Sequence, residues 1–129
     1  MIWLLLPDAW RIELLRRPAD RDEWLQALAE HSDLKLVDWA TRKPAEGETL
    51  FVAGLDLAAA ELVLKLPQGV RVVALEGAWS WPVGARARFL DAARARVNAT
   101  VSLPTLGHGL PPFARPFLMA VRRLTEEAR

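Results

Sequence analysis

Residues 2–6 form an unbroken apolar run that ends at Pro7 and Asp8. The run is far too short to cross a membrane and lacks the alternation of a strand with one solvated face. A strand that is apolar on every side is typical of the interior of a parallel sheet, where helices cover both faces. Residues 70–75 repeat the pattern, with Arg71 as their one charged member. Both segments are therefore predicted to be interior strands.

The rest of the chain alternates between helical and strand patterns. Further strands are predicted at residues 34–39, 50–53 and 99–103, and amphipathic helices at 9–17, from Asp20 onward, at 58–66, at 83–97 and at the end of the chain. This alternation predicts an α/β fold, a three-layer sandwich of about five mostly parallel strands with helices on both faces. The short link between the second and third strands leaves a hairpin with an antiparallel edge as an alternative.

Several residues mark helix ends and core faces. Pro18 interrupts the first helical segment, and Asp20 with Glu23 has the spacing of a capping box ahead of Trp24. Apolar stripes at helical spacing predict the buried faces of the last two helices. The stripes are Phe89, Leu90, Ala93 and Val97, followed by Phe117, Leu118, Val121 and Leu124.

Length and composition exclude several classes of protein. The chain has 129 residues, 52% of them hydrophobic and 26% charged, which predicts one globular domain over residues 1–129 and no intrinsic disorder. It has no cysteine and two histidines, which leaves no disulfide framework, no thiolate chemistry and no histidine-based metal cluster to predict, and no cofactor is expected. The opening apolar run is too short for a signal peptide, so a cytoplasmic protein without a membrane segment is expected.

Charge is distributed unevenly along the chain. Residues 1–76 hold nine basic and thirteen acidic side chains, whereas residues 77–129 hold eight basic and three acidic ones. This asymmetry favours an oriented protein partner or a homodimer. A nucleic-acid or anion contact is the rival hypothesis, although a proteome-wide preference for arginine would give the same composition. The residues that would make that contact are Arg88, Arg94, Arg96, Arg122 and Arg123.

Polar residues that follow the predicted strands are the candidates for chemistry, because open α/β sheets bind ligands at the carboxyl ends of their strands. Asp8, Asp56 and Glu76 could together hold Mg²⁺, with His108 as acid or base. Alternatively, the two aspartates are helix caps and Glu76 is a solvated turn residue. The chain has no glycine-rich phosphate loop and no serine nucleophile motif. We therefore expect a protein that is not an enzyme and has no catalytic residue.

Six tryptophans suggest packing and partner binding. Trp24 and Trp39 are expected to be packing residues. Trp79 and Trp81 flank one serine ahead of Pro82, and two such side chains are difficult to bury together. They either cap the core or form an apolar partner-binding patch with a neighbouring loop. The residues of that loop are Pro111, Pro112 and Phe113.

One order of features extends along almost the whole chain. Asp8 follows the first strand, residues 49–53 precede Gly54, residues 70–75 form a later strand, and Pro104 follows the fifth strand ahead of an amphipathic helix. This order resembles the receiver domains of two-component response regulators. In that family, aspartyl phosphorylation uses an acidic pair, a phosphoacceptor aspartate, a hydroxyl residue and a lysine. Here only Asp8 of the acidic pair is present, so the resemblance implies a pseudo-receiver without the usual phosphorylation.

The equivalent positions depart from the receiver pattern as follows. The phosphoacceptor position falls near Ala53 or Gly54, the hydroxyl position on Glu76 and the lysine position on Leu103, and the helix between the second and third strands is missing. Such a domain would be an adaptor or regulator that binds another protein.

A second set of features covers residues 21–129. It comprises residues 21–24, Trp39, residues 42–44, residues 51–53, residues 104–106, residues 112–115 and Leu118. Their order is similar to that of the psi subunit of the bacterial DNA polymerase III clamp loader, an adaptor with a degenerate uracil-DNA-glycosylase-like fold. This alternative implies a replisome adaptor. Both resemblances imply a catalytically silent α/β domain.

Overall fold

The computed structural model describes residues 1–6, 8–37, 44–53, 57–75, 87–101 and 114–127. Within these ranges the strands are β1 (Ile2–Leu5), β2 (Leu34–Leu36), β3 (Thr49–Val52), β4 (Arg71–Leu75) and β5 (Ala99–Val101). They form one parallel sheet in the order β2-β1-β3-β4-β5. This is a common order of doubly wound α/β folds.

The two unbroken apolar strands lie in the interior of the sheet, as predicted. Ile2 of β1 pairs with Leu34 of β2 on one side and with Thr49 of β3 on the other. β4 lies in the same way between β3 and β5. The hairpin alternative is wrong, because β1 separates β2 from β3 and all three run parallel. Because β1 lies between β2 and β3, its backbone groups have hydrogen-bond partners on both sides. A β2–β3 hairpin would not provide these partners for β1.

Five helices are described: α1 (Asp8–Arg16), α2 (Pro18–Ala29), α3 (Leu57–Lys65), α4 (Ala87–Ala95) and α5 (Ala114–Glu127). Side chains of α1, α2 and α5 join one hydrophobic core on one face of the sheet. Side chains of α3 and α4 join a second core on the opposite face. The predicted three-layer α/β architecture is confirmed.

Aromatic contacts join α1, α2 and α5 in the first core. The Phe117 ring of α5 lies 5.9 Å from the ring of Trp10 and 5.5 Å from that of Trp24, measured between centroids. The Trp10 contact is edge-to-face, a favoured arrangement of aromatic pairs. Trp24 is buried, so its predicted packing role is confirmed, whereas Trp39 lies outside the described residues.

The start of α2 differs from the prediction. Asp20 does not cap the helix; instead α2 begins at Pro18, and Arg17 precedes it in an extended conformation with φ of −120°. Proline suits the first helical position because its φ is fixed near the helical value. The N–H that proline lacks would have no partner within the helix at this position. Asp20 therefore lies in the first turn, where its carboxylate is 3.7 Å from the Arg17 guanidinium.

The buried stripe of α5 also differs at one position. Phe117, Leu118 and Val121 are buried as expected, but the buried residue that follows them is Thr125, and Leu124 is half-buried. The Thr125 hydroxyl donates a 2.7 Å hydrogen bond to the carbonyl of Val121 one turn earlier. Its polar group is thereby satisfied within the helix, and the side chain can enter the core. In α4, Ala93 is buried in the second core as predicted.

Candidate functional site

An apolar cleft of about 230 Å³ opens beside the first pair of helices. The carboxyl-terminal parts of β1 and β2 and the residues directly after them contribute Leu4, Leu5, Leu6, Leu36 and Val37. Helices α1 and α2 contribute Arg11, Leu14, Leu15, Arg21, Trp24 and Leu25. The cleft therefore reaches the end of the sheet at which open α/β proteins bind ligands.

Helix α1 beside the cleft is apolar on more than one side. Trp10 and Leu14, one turn apart, are buried in the first core. Ile12 and Leu15 are not, and their exposed fractions are 49% and 71%. Leu25 of α2, which also lines the cleft, is 55% exposed. Large apolar side chains that are exposed next to an apolar cavity are typical of a binding surface.

Each helix also contributes an arginine to the cleft, four residues before its exposed leucine. Arg11 precedes Leu15 in α1, and Arg21 precedes Leu25 in α2, so each pair lies on one helix face. Both arginines are exposed. The Arg21 guanidinium lies 3.8 Å from the Asp22 carboxylate, in a solvated ion pair of a kind worth roughly 0–1 kcal/mol. Such a pair is readily exchanged for another carboxylate.

The described lining contains apolar side chains and arginines, and no acidic residue is among them. Arginine remains protonated in proteins and cannot serve as a general base. The lining can therefore bind an apolar group with an adjoining anion, but it presents no nucleophile and no proton acceptor. Its volume lies between that of an engineered cavity that holds benzene, roughly 150 Å³, and that of drug-sized ligand pockets, about 300–1,000 Å³.

The partner-binding patch predicted from the sequence lies outside the described residues. This applies to Trp79, Trp81, Pro111, Pro112 and Phe113 alike. Their role in partner binding remains a prediction.

The five arginines predicted for a nucleic-acid or anion contact belong to, or directly follow, two different helices. Arg88, Arg94 and Arg96 are on or just after α4, and Arg122 and Arg123 are on α5, which packs on the opposite face of the sheet. Arg94 and Arg123 are exposed. The Arg123 guanidinium pairs with the Glu127 carboxylate at 3.9 Å, one turn further along α5.

Arg96 and Arg122 make structural contacts. The Arg96 guanidinium donates to the carbonyls of Leu66 and Pro67 at 3.3 Å and 3.0 Å, and to Oε1 of Gln68 at 3.1 Å. It thus satisfies carbonyls at the end of α3 that lack helical partners. Arg122 lies 3.1 Å from the carboxylate of Asp33 and contacts Nδ1 of His31 at 3.2 Å. These contacts tie α5 to the turn after α2.

A second ion pair on the same side joins α5 to α2. Arg115 donates to both carboxylate oxygens of Glu30, with a shortest N–O distance of 2.8 Å. These hydrogen bonds hold the pKa of Glu30 below its ordinary value and raise the pKa of Arg115. Both side chains are about half exposed, so the pair is accessible to salt and to acid.

The carboxylates considered for Mg²⁺ binding are mostly outside the described residues. Asp8 is the first residue of α1, whereas Asp56, Glu76 and His108 fall in the undescribed ranges. In the part of the chain that is described, no three histidine, aspartate or glutamate side chains are grouped as metal ligands would be. No described helix has the length and apolarity needed to span a membrane.

The α1–α2 cleft was not anticipated from the sequence. The signal that could have indicated it is the distribution of apolar residues in α1, where Ile12, Leu14 and Leu15 cover more of the helix than one core stripe requires. Leu25 gives the same signal in α2, because it lies beside the buried Trp24 but on a neighbouring face. Charged residues are frequent in both helices, and they lower the mean hydropathy of each segment enough to hide the pattern.

No protein-family model matches the chain, and comparisons with curated proteins and with solved structures also give no match.

Proposed function

We propose that this chain is a non-catalytic protein-binding α/β domain, an adaptor or regulator with a receiver-like architecture, which binds its partner through the cleft surface. We define the cleft surface by Arg11, Leu15, Arg21 and Leu25 together with the apolar side chains beneath them. The observation that carries the proposal is the pair of exposed leucines, 71% and 55% accessible, at an apolar cleft. Burying them against a partner removes apolar area from water, and this stabilises the complex by about 25 cal/mol of free energy for each Å² buried.

The chemistry of the lining supports binding over catalysis. Leucine, valine and tryptophan side chains offer no reactive group, and a guanidinium group donates hydrogen bonds but accepts none. Glu30 and Arg115 are titratable groups whose pKa values their mutual hydrogen bonds displace. That ion pair joins α2 to α5 and does not line the cleft.

The strand order supports the receiver-like part of the proposal. The order β2-β1-β3-β4-β5 is the flavodoxin-like one, which receiver domains share. Fold alone does not determine function, so the protein-binding role depends on the cleft surface.

The test is affinity capture from the native host with the wild-type chain and with a Leu15→Glu, Leu25→Glu double variant. A captured protein is identified, purified and titrated against both forms by calorimetry. We expect the double variant to bind at least about a hundredfold more weakly, because two carboxylates would be desolvated in an apolar contact. Met119→Glu is the matched control, since Met119 is 63% exposed on α5 and does not line the cleft.

A Trp79→Ala, Trp81→Ala variant is assayed in parallel. Loss of the partner in this variant alone would move the binding site to the tryptophan patch and away from the cleft surface. If a purified host partner binds the leucine variant and the Met119 control with equal affinity, the proposed use of the cleft is wrong. If the partner proves to be nucleic acid and its binding weakens steeply with added salt, the proposed protein-binding function is wrong.

A further inference from the structure

Strand β2 forms one edge of the sheet and also borders the cleft, because Leu36 and the following Val37 line it. We propose that the docking element of the partner is an extended segment that adds a strand beside β2, with an acidic side chain opposite Lys35 and an apolar side chain in the cleft. This inference rests on the proposed protein-binding function and specifies the form and chemistry of the partner.

The outer backbone groups of β2 carry the argument for an extended partner. The carbonyl of Asp33 and the N–H of Val37 both bond to β1, at 2.8 Å and 3.1 Å. Because the backbone groups of successive residues point to opposite sides of a strand, those of Leu34 and Leu36 point away from β1. The Leu34 N–H bonds to the carbonyl of His31 in the preceding turn. Within the described part of the chain, no group pairs with the Leu34 carbonyl or with the N–H and carbonyl of Leu36.

An added strand would use these three groups, whether it runs parallel or antiparallel to β2. It would donate N–H groups to the two carbonyls and accept the N–H of Leu36. A helix placed against this edge would cover the three groups without bonding to them, which is unfavourable, because its own backbone groups are already paired. The edge therefore favours strand addition, in which main-chain hydrogen bonds give affinity and alternate side chains give specificity.

Lys35 determines the charge of the added strand. Its side chain is exposed, and no ion pair joins it to a described acidic residue. A lysine on an edge strand discourages pairing with unsuitable strands. Side chains directly opposite each other on paired strands lie about 4.5–5.5 Å apart between their Cβ atoms, so opposite charges attract and like charges repel. An acidic residue opposite Lys35 would therefore be selected over a basic one.

Lys35 also argues against a second copy of this chain as the added strand. In the antiparallel register that overlaps all three residues of two β2 strands, each Leu34 is opposite a Leu36 and the two copies of Lys35 are opposite each other. Like charges at directly opposed positions destabilise such a pair. The partner is therefore a different chain that carries the complementary charge.

Leu36 connects the edge of the sheet with the cleft. Its side chain packs on the core that α2 covers and lines the cleft, whereas successive side chains of a strand alternate, so Lys35 points to the opposite face. A residue added opposite Leu36 would project to the cleft side. The cleft, of about 230 Å³, exceeds the cavity of roughly 150 Å³ that accommodates benzene, so it has room for an apolar side chain. The expected motif is an acidic residue with apolar neighbours in an extended segment.

The charge is tested by selection from a display library of random peptides, each about ten residues long, which exceeds the length of a typical strand. The full chain is the bait, and the Leu15→Glu, Leu25→Glu variant removes peptides that bind elsewhere. We expect enrichment of an acidic residue between apolar ones, and of a basic residue at that place when Lys35→Glu is the bait. Lys65→Glu is the matched control, because Lys65 is exposed on α3 and does not line the cleft. It should select the same peptides as the wild type.

The extended form is tested with a synthetic version of a selected peptide. Its binding should slow hydrogen exchange of the Leu36 N–H at least about tenfold and leave that of the Lys35 N–H, which bonds to β1, unchanged. N-methylation at successive positions should weaken binding at least about tenfold at alternate positions only, because every second N–H of an added strand faces β2. Thermal unfolding of every variant establishes that it is folded. Lys35→Gln, which should lose the preference for acidic peptides, replaces Lys35→Glu if that variant does not fold.

Several results would overturn the inference. They are survival of no peptide after subtraction, enrichment of the same peptides by the wild type and Lys35→Glu, unchanged exchange at Leu36, and loss of affinity at consecutive methylated positions, which would indicate a helix. Protection of the Leu36 N–H by self-association without peptide would identify a second copy of this chain as the occupant instead. If a host partner depends on Leu15 and Leu25 but leaves Leu36 unprotected, the protein-binding function stands and only strand addition is wrong.

Discussion

Asn98 completes the backbone pairing of β4 at the point where β5 begins. Its backbone N–H donates to the carbonyl of Val72 at 2.8 Å, and its side-chain Oδ1 accepts the N–H of Val72 at 2.7 Å. Val72 has no exposed surface, so its N–H depends on the Asn98 side chain for an acceptor. We expect Asn98→Ala to lower the free energy of unfolding by about 1–3 kcal/mol, the cost of a buried unpaired donor.

In a domain of this size that loss corresponds to a fall in Tm of about 4–12 °C. Urea unfolding followed by tryptophan fluorescence gives the free energy, and amide hydrogen exchange reports on the Val72 N–H itself. Asn98→Asp keeps an acceptor at the same place and should retain most of the stability. If Asn98→Ala unfolds within about 0.3 kcal/mol of the wild type and Val72 keeps its protection, the Asn98 side chain is not the acceptor that stabilises β4.

Two further substitutions test contacts between helices. Glu30→Gln should flatten the fall in Tm between about pH 6 and about pH 3. The bonds from Arg115 lower the pKa of Glu30, so this ion pair stabilises the fold above the ordinary carboxyl pKa and loses its effect as the pH falls through the lowered value; identical pH profiles would contradict this. Arg96→Ala should lower the free energy of unfolding, measured by urea titration, by about 1–2 kcal/mol, because it removes three hydrogen bonds at the end of α3. The stability of Arg96→Lys should lie between that of the wild type and that of Arg96→Ala. A loss of nucleic-acid binding with no loss of stability would instead favour an anion-binding role for this arginine.

The sheet was predictable because its strands are short apolar runs with clear ends. Residues 2–6 and 70–75 have the composition of strands buried on both faces, and they occupy the interior of the sheet. Helix ends were less predictable, because local signals compete. At α2 the preset φ of Pro18 determined the start, although Asp20 and Glu23 have capping-box spacing.

The site was harder to predict, because it depends on which apolar residues remain unburied. Sequence periodicity places Trp10 and Leu14 in the core, but the exposure of Leu15 and Leu25 depends on how α1 and α2 cross the sheet. Thr125 shows the converse case: a polar residue enters the core because Val121 supplies an acceptor within its own helix. Such outcomes follow from three-dimensional packing and cannot be read from residue type alone.

The position of β1 between β2 and β3 has a consequence for the order of folding. β1 comes before both of its neighbours in the chain, and Ile2 meets Leu34 and Thr49 only after long loops have closed. Closing such loops costs entropy before any ladder hydrogen bond compensates for it, so parallel sheets of this kind form slowly. During synthesis the apolar residues of β1 must therefore remain without sheet partners until β2 has left the ribosome, and one edge of β1 stays unpaired until β3 follows. This interval is when the chain is most exposed to aggregation, and when a chaperone would have the greatest effect on its yield.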